Sequence, residues 1–254
     1  MKFIPFYQEI TEALHEPGCA FCRMRDKTAA SYVNALLFEL VNDPQSRIAF
    51  NKARGYCDKH MGLLLQEGHA PGAAIMMDGL MKTLLRILQN NPNAKMKSSQ
   101  FNRLLQQVKL ANRESLKLLL AQLEPEIPCP VCAHIEDLEK KHTQTLLKHF
   151  TGPYALSEAF GNSDGLCLPH LRLVLSHAGL GEEIRLLLQM QEAIWQKLKD
   201  ELAEFIRKCD HNAADERITD AESISRMKAM TLIAGSDLMP KKPGSGIPNP
   251  RRGN

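Results

Sequence analysis

The sequence predicts an all-α protein: an internally duplicated helical array of two pseudo-symmetric halves, each stapled by a Cys3His metal site, with a long helix near the C-terminus. Three observations predict it. Aromatics make up only 6% of the 254 residues, β-branched runs are scarce, and Leu, Ala, Lys, Glu, Gln and Met dominate, which favours helix. Apolar residues recur at helical spacing, as in Leu116, Leu119, Leu120 and Leu123. Finally, GCAFC (18–22) returns as PCPVC (128–132) and GYCDKH (55–60) returns as GLCLPH (165–170), so that four Cys and His positions shift together by 110 residues.

The elements follow in chain order. Ile4 to His15 reads as a helix that stops before Pro17, and CxxC at Cys19 and Cys22 opens a second helix, about Arg23 to Val41. A short connecting segment leads to CxxH at Cys57 and His60, which begins a helix to Gln66. After Pro71, Met76, Met77, Leu80, Met81 and Leu84 form an apolar helical stretch read as core packing, with an adaptable partner groove of exposed methionines as the alternative. The second half repeats the scheme. Ser99 to Leu123 carries a stripe that includes Phe101, Leu104, Leu105 and Val108, and it ends before Pro125. Cys129 and Cys132 open a helix over about Ala133 to Phe150, and Cys167 and His170 open another to Ser176. Glu182 to Lys208, apolar along Ile184, Leu187, Leu188, Ile194, Trp195, Leu198, Leu202 and Phe205, is long enough to brace both halves. This gives a first repeat at 1–96, a second at 97–213, a helical extension at 214–234 and a disordered basic tail at 235–254. Other matches at the same shift, Phe50 with Phe160, Gly55 with Gly165 and Leu36 with Leu146, support duplication of one unit.

Charge excludes some classes. The net charge of +3 lies in the tail, where Lys241, Lys242, Arg251 and Arg252 face one acid, Asp237, so the body is neutral, which argues against a large nucleic-acid footprint. No stretch reaches the roughly 18 apolar residues of a membrane span, and MKFIPFYQEI lacks a signal-peptide core. A cytoplasmic protein is expected, and in that compartment seven cysteines point to metal rather than to disulfides.

Zinc takes four tetrahedral N or S ligands, and closed structural sites commonly draw two close pairs from distant parts of the chain. Cys19, Cys22, Cys57 and His60 supply one such set, and Cys129, Cys132, Cys167 and His170 a second. Local pairing within each half is expected because the shorter loop costs less to close, but the difference is small and pairing across the halves stays open. Two zinc ions are expected. The alternative cofactor is an iron–sulfur cluster, since histidine can replace a cysteine ligand. A thioredoxin-like role lacks its βαβ context, and neither CxxC is followed by His as haem attachment requires. Cys209 reads as a lone thiol, and His15, His69, His134, His142, His149, His177 and His211 as surface or satisfied histidines. No phosphate loop, GxSxG or HExxH is present, and four protein ligands leave a metal no open position, so the sequence leans away from an enzyme; a third reading, an enzyme using an exchangeable metal, requires fewer than four protein ligands at one site.

The motifs GCAFC, GYCDKH, PCPVC and GLCLPH resemble those of an uncharacterised bacterial family, a domain of unknown function, over about residues 1 to 210. The resemblance implies no activity; it implies a prokaryotic and often anaerobic source. The reading is a zinc-binding helical protein with structural sites, acting as a protein-interaction or adaptor module for an unknown protein partner. Its rival is a redox or sensor protein holding Cys3His-ligated clusters.

Overall fold

The computed structural model describes residues 3–90, 108–210 and 216–236, with backbone alone for 108–114. Phe101, Leu104, Leu105, His211 and the tail beyond residue 236 lie outside the described residues. Within them the chain is helical, with no strand, and no described helix is long and apolar enough to cross a membrane.

Residues 3–90 hold α1 (Tyr7–Leu14), α2 (Ala20–Phe38), α3 (Pro44–Lys52), α4 (Asp58–Met61), a 3-10 turn (Gly62–Leu65) and α5 (Ala70–Gln89). There follow α6 (Val108–Leu123), α7 (Pro130–Lys148), α8 (Ser157–Gly161), α9 (Leu168–His177), α10 (Glu182–Lys208) and α11 (Asp220–Ala234). Two helices, α3 and α8, occupy the connecting segments expected before Cys57 and before Cys167. The start of α3 is marked by Asp43, whose carboxylate accepts the N–H of Ser46 at 2.7 Å, with Pro44 filling the first helical position, where no N–H is needed. Leu156 precedes α8 with no side-chain cap, so packing of the buried Phe160 fixes it instead. At the other end of the chain, α11 opens with a capping box: Thr219 accepts the N–H of Glu222, whose carboxylate accepts that of Thr219.

The described chain forms two compact units, and they are not the two sequence repeats. One unit comprises Met1–Thr28 with Glu136–Asn254; the other is the continuous segment Ala29–Ile135. The outer unit is built from both ends of the chain and the inner unit is inserted into it. The exchange points fall inside α2 and α7, so each of these helices begins in one unit and ends in the other.

Each unit has its own core. In the outer unit Ile10, Phe21 and Met24 pack with Leu146, Phe160 and Leu187. Phe150 and Phe160 meet edge to face at 5.4 Å. In the inner unit Val33, Leu37, Phe50 and Met76 pack with Val131 and Ile135. Gly72 brings α5 against α2 there, since a Cβ would stand 2.8 Å from the Leu37 carbonyl oxygen. The long helix α10 belongs wholly to the outer unit, where it packs against α11, and its apolar face buries Ile184 and Leu187.

Candidate metal centres

All four Cys/His pairs share one local geometry. Cys19 and Cys129 directly precede α2 and α7, and their carbonyls accept the N–H of Arg23 and Ala133. Cys57 and Cys167 are the extended residues before α4 and α9, with ψ of 168° and 162°. The second member of each pair, Cys22, Cys132, His60 or His170, is the third residue of its helix. This i, i+3 relation turns both donors to one side of a helix N-terminus, where the free N–H groups and the macrodipole favour thiolates. The expected helix starts, about Arg23 and Ala133, thus move back to Ala20 and Pro130, and the CxxC motifs become part of the first turn. Before each CxxH, Gly55 and Gly165 hold φ of 93° and 70°, left-handed values that reverse the chain into the motif.

The tertiary structure pairs these donors across the sequence repeats. In the outer unit Cys19 and Cys22 meet Cys167 and His170; in the inner unit Cys57 and His60 meet Cys129 and Cys132. The local pairing expected from loop length is therefore not the one formed. In each group the four donor atoms lie within 4.8 Å of one another.

His170 points Nδ1 at the sulfurs of Cys167, Cys22 and Cys19, at 3.0, 3.3 and 3.5 Å, and Cys22 and Cys167 sulfurs are 3.6 Å apart. His60 points Nδ1 at Cys57, Cys132 and Cys129, at 3.3, 3.4 and 3.7 Å, with the Cys57 and Cys132 sulfurs 3.7 Å apart. A tetrahedral zinc with Zn–S of about 2.3 Å and Zn–N of about 2.0–2.1 Å implies sulfur–sulfur edges of about 3.8 Å and sulfur–nitrogen edges of about 3.6 Å. Both donor sets fit a single ion of that kind.

The electrostatics point the same way. In the outer group hydrogen bonds from Cys167 and Cys22 hold the Cys19 thiol well below its ordinary value, while the thiols of Cys167 and Cys19 push Cys22 far up. Burial opposes a charged His170, yet its bonds to Cys167, Cys19 and Glu139 push it up to about 11. In the inner group desolvation and then the bond to Cys57 push Cys132 up to about 12. Cys57 goes the other way: desolvation opposes its thiolate, but the backbone N–H of His60 and the thiols of Cys132 and Cys129 hold it low. Thiols packed this closely cannot all ionise by themselves; a divalent cation among them removes the conflict.

The surroundings differ. The outer donors are buried, at 7, 5, 1 and 4% exposure for Cys19, Cys22, Cys167 and His170. Glu139 on α7 takes the other ring nitrogen of His170, Nε2, at 3.0 Å. A carboxylate in that place fixes the tautomer and the ring orientation of a metal-bound histidine. The repeat gave no sign of it, because the residue 110 positions earlier is Ala29. In the inner group Cys57, His60 and Cys129 are half-buried and Cys132 is exposed.

Asp164, also missed, braces the turn before Cys167: its carboxylate accepts the N–H of Gly18 at 2.7 Å and the Lys228 ammonium at 2.9 Å. A cavity of about 810 Å³ in the outer unit reaches Cys19, Cys22 and Cys167 between α2, α10 and α11. Of the remaining histidines, His69 is buried and bonded to the Leu63 carbonyl at 2.8 Å. His142 is buried with Nε2 3.6 Å from Glu9. Cys209 is exposed at the end of α10.

No curated protein and no solved structure shows a significant match to the chain. A family model does, over residues 3–238, which include all eight candidate ligands. With its two tetrads of Cys3His type in an all-helical frame, the chain belongs to that family, a family of unknown function designated DUF6062.

Proposed function

We propose that both tetrads are structural zinc sites and that the zinc-bound protein is a helical protein-interaction module of a reducing, cytoplasmic compartment. The observation that carries this reading is the geometry of the donors, two Cys3His sets each gathered within 4.8 Å. Three sulfurs and one nitrogen complete a tetrahedron and leave no position for substrate or water, which favours a structural over a catalytic metal. An iron–sulfur cluster is less well supported. Its ligands bind different irons and are held apart by the cluster, whereas these donors converge on the room of one ion. For a partner protein, α5 and α6 of the inner unit offer exposed Met81, Leu85, Leu88, Leu116 and Leu118.

Metal analysis of protein purified without oxygen tests the proposal. Colourless protein with about two zinc per chain is expected; brown protein with iron and acid-labile sulfide would overturn it. Co-purification tests the module: leucine-to-serine changes at Leu85 and Leu118 should abolish capture of a partner while leaving zinc content unchanged.

A further inference from the structure

The two tetrads have the same ligands and nearly the same edges, but not the same access. The inner tetrad is the more open of the two: Cys57, His60 and Cys129 are half-buried, and Cys132 stands at the margin between half-buried and exposed. The outer tetrad has no donor residue above 7% exposure, and its histidine is clamped by Glu139 at 3.0 Å. Carboxylates that orient a metal-bound histidine typically account for 10–100-fold in metal affinity. A metal leaves a thiolate site when a competing ligand enters or when a thiolate is captured by an electrophile, and both events begin with contact to a sulfur.

We propose that the sites are specialised: the outer tetrad keeps its ion, and the inner tetrad is the exchangeable site, with Cys132 the first thiolate an external electrophile modifies. This rests on the zinc reading above. An opposing feature is the cavity that abuts Cys19, Cys22 and Cys167. Its lining includes the salt bridges Arg23–Glu16 and Lys228–Asp164. The sulfur-bearing residues nevertheless stay buried beneath it.

The test uses the zinc-loaded 254-residue chain, a colorimetric zinc chelator and N-ethylmaleimide, with peptides mapped by mass spectrometry over time. In the labelling step the sulfur adds across the maleimide double bond, and the adjacent ring carbon takes a proton from water. Cys209, exposed and outside both tetrads, gives the unprotected rate. One zinc equivalent should leave at least tenfold faster than the other, with Cys132 labelled before Cys57 and Cys129, and Cys19, Cys22 and Cys167 labelled only in the slow phase. Glu139→Gln should quicken the slow phase about tenfold or more and leave the fast phase alone. Release of both ions at one rate, or labelling of Cys22 before Cys132, would overturn the proposal and make the cavity the route in. A protein holding no zinc at the outset would instead overturn the zinc reading, so the two failures are distinguishable. Should Glu139→Gln not fold, the labelling order in the unaltered protein still decides.

Discussion

Because the inner unit is inserted into the outer one along the chain, loss of the two proposed metal sites should have unequal consequences. Consider Cys167→Ala with His170→Ala, and separately Cys57→Ala with His60→Ala. Structural zinc is worth about 10–16 kcal/mol in small peptides, against a domain stability of about 5–15 kcal/mol, so each double variant should open the unit whose site it removes. Opening the outer unit turns its flanking chains into free tails of the inner unit, which retains its own ligands and its core of Val33, Phe50 and Met76. The converse differs. With the inner unit open, the outer unit must close a flexible loop of about 107 residues, Ala29–Ile135, instead of a folded insert. At (3/2)RT ln n that costs on the order of 4 kcal/mol, nearly a thousandfold in the opening equilibrium. Hydrogen exchange of the zinc-loaded variants reads this directly. Amides around Phe160 and Leu187 report the outer unit, and those around Phe50 and Met76 the inner; α2 and α7 are avoided because they pass through both. The inner-site variant should lower outer-unit protection by about 4 kcal/mol, whereas the outer-site variant should leave inner protection nearly intact. Equal effects in both directions, or an outer unit indifferent to the inner site, would refute the insertion argument.

Other perturbations test individual contacts. Gly165→Ala should cost about 1–2 kcal/mol, because its φ of 70° disfavours a side chain and its Cβ would meet the Gln191 amide at 2.7 Å; an unchanged melting temperature would refute this. Gly72→Ala should destabilise by about 1–3 kcal/mol through contact with the Leu37 carbonyl, read by denaturant midpoint, and a neutral result would mean that α5 does not lie so close. His142 is held below its usual pKa by burial, which outweighs the attraction of Glu9. A depressed histidine leaves stability whole above its unfolded value of about 6.5 and erodes it as pH falls through that value toward the folded one. His142→Phe keeps a ring against Phe6 and Phe21 and should flatten the decline in melting temperature between pH 7 and 5; the same slope in both proteins would show that His142 does not titrate there.

Much of the candidate site was legible because its spacing is local. A cysteine before a helix and a donor three residues later fall on one side of the first turn whatever the rest of the chain does, so CxxC and CxxH could be read as paired donors. Gly55 and Gly165 were legible for the same reason. Glu139 and Asp164 were not, since each acts on a residue far away in sequence, at His170, Gly18 and Lys228, and neither stands at a repeated position. The helix α3 carried a usable signal, Asp43 followed by Pro44, whereas α8 carried none beyond the buried Phe160.

The sequence by itself determined the helical class, the eight candidate donors and their arrangement in four pairs, all consequences of composition and of spacing within a few residues. Only the tertiary structure decided which pair meets which. Closing Cys22 onto Cys167, 145 positions away, rather than onto Cys57, 35 positions away, costs about 1 kcal/mol more in loop entropy. That difference is smaller than the roughly 1.5–3 kcal/mol gained by burying one large apolar side chain. The outer core, which gathers Ile10 and Phe21 from one end of the chain with Leu146, Phe160 and Leu187 from the other, buries several and so sets the pairing.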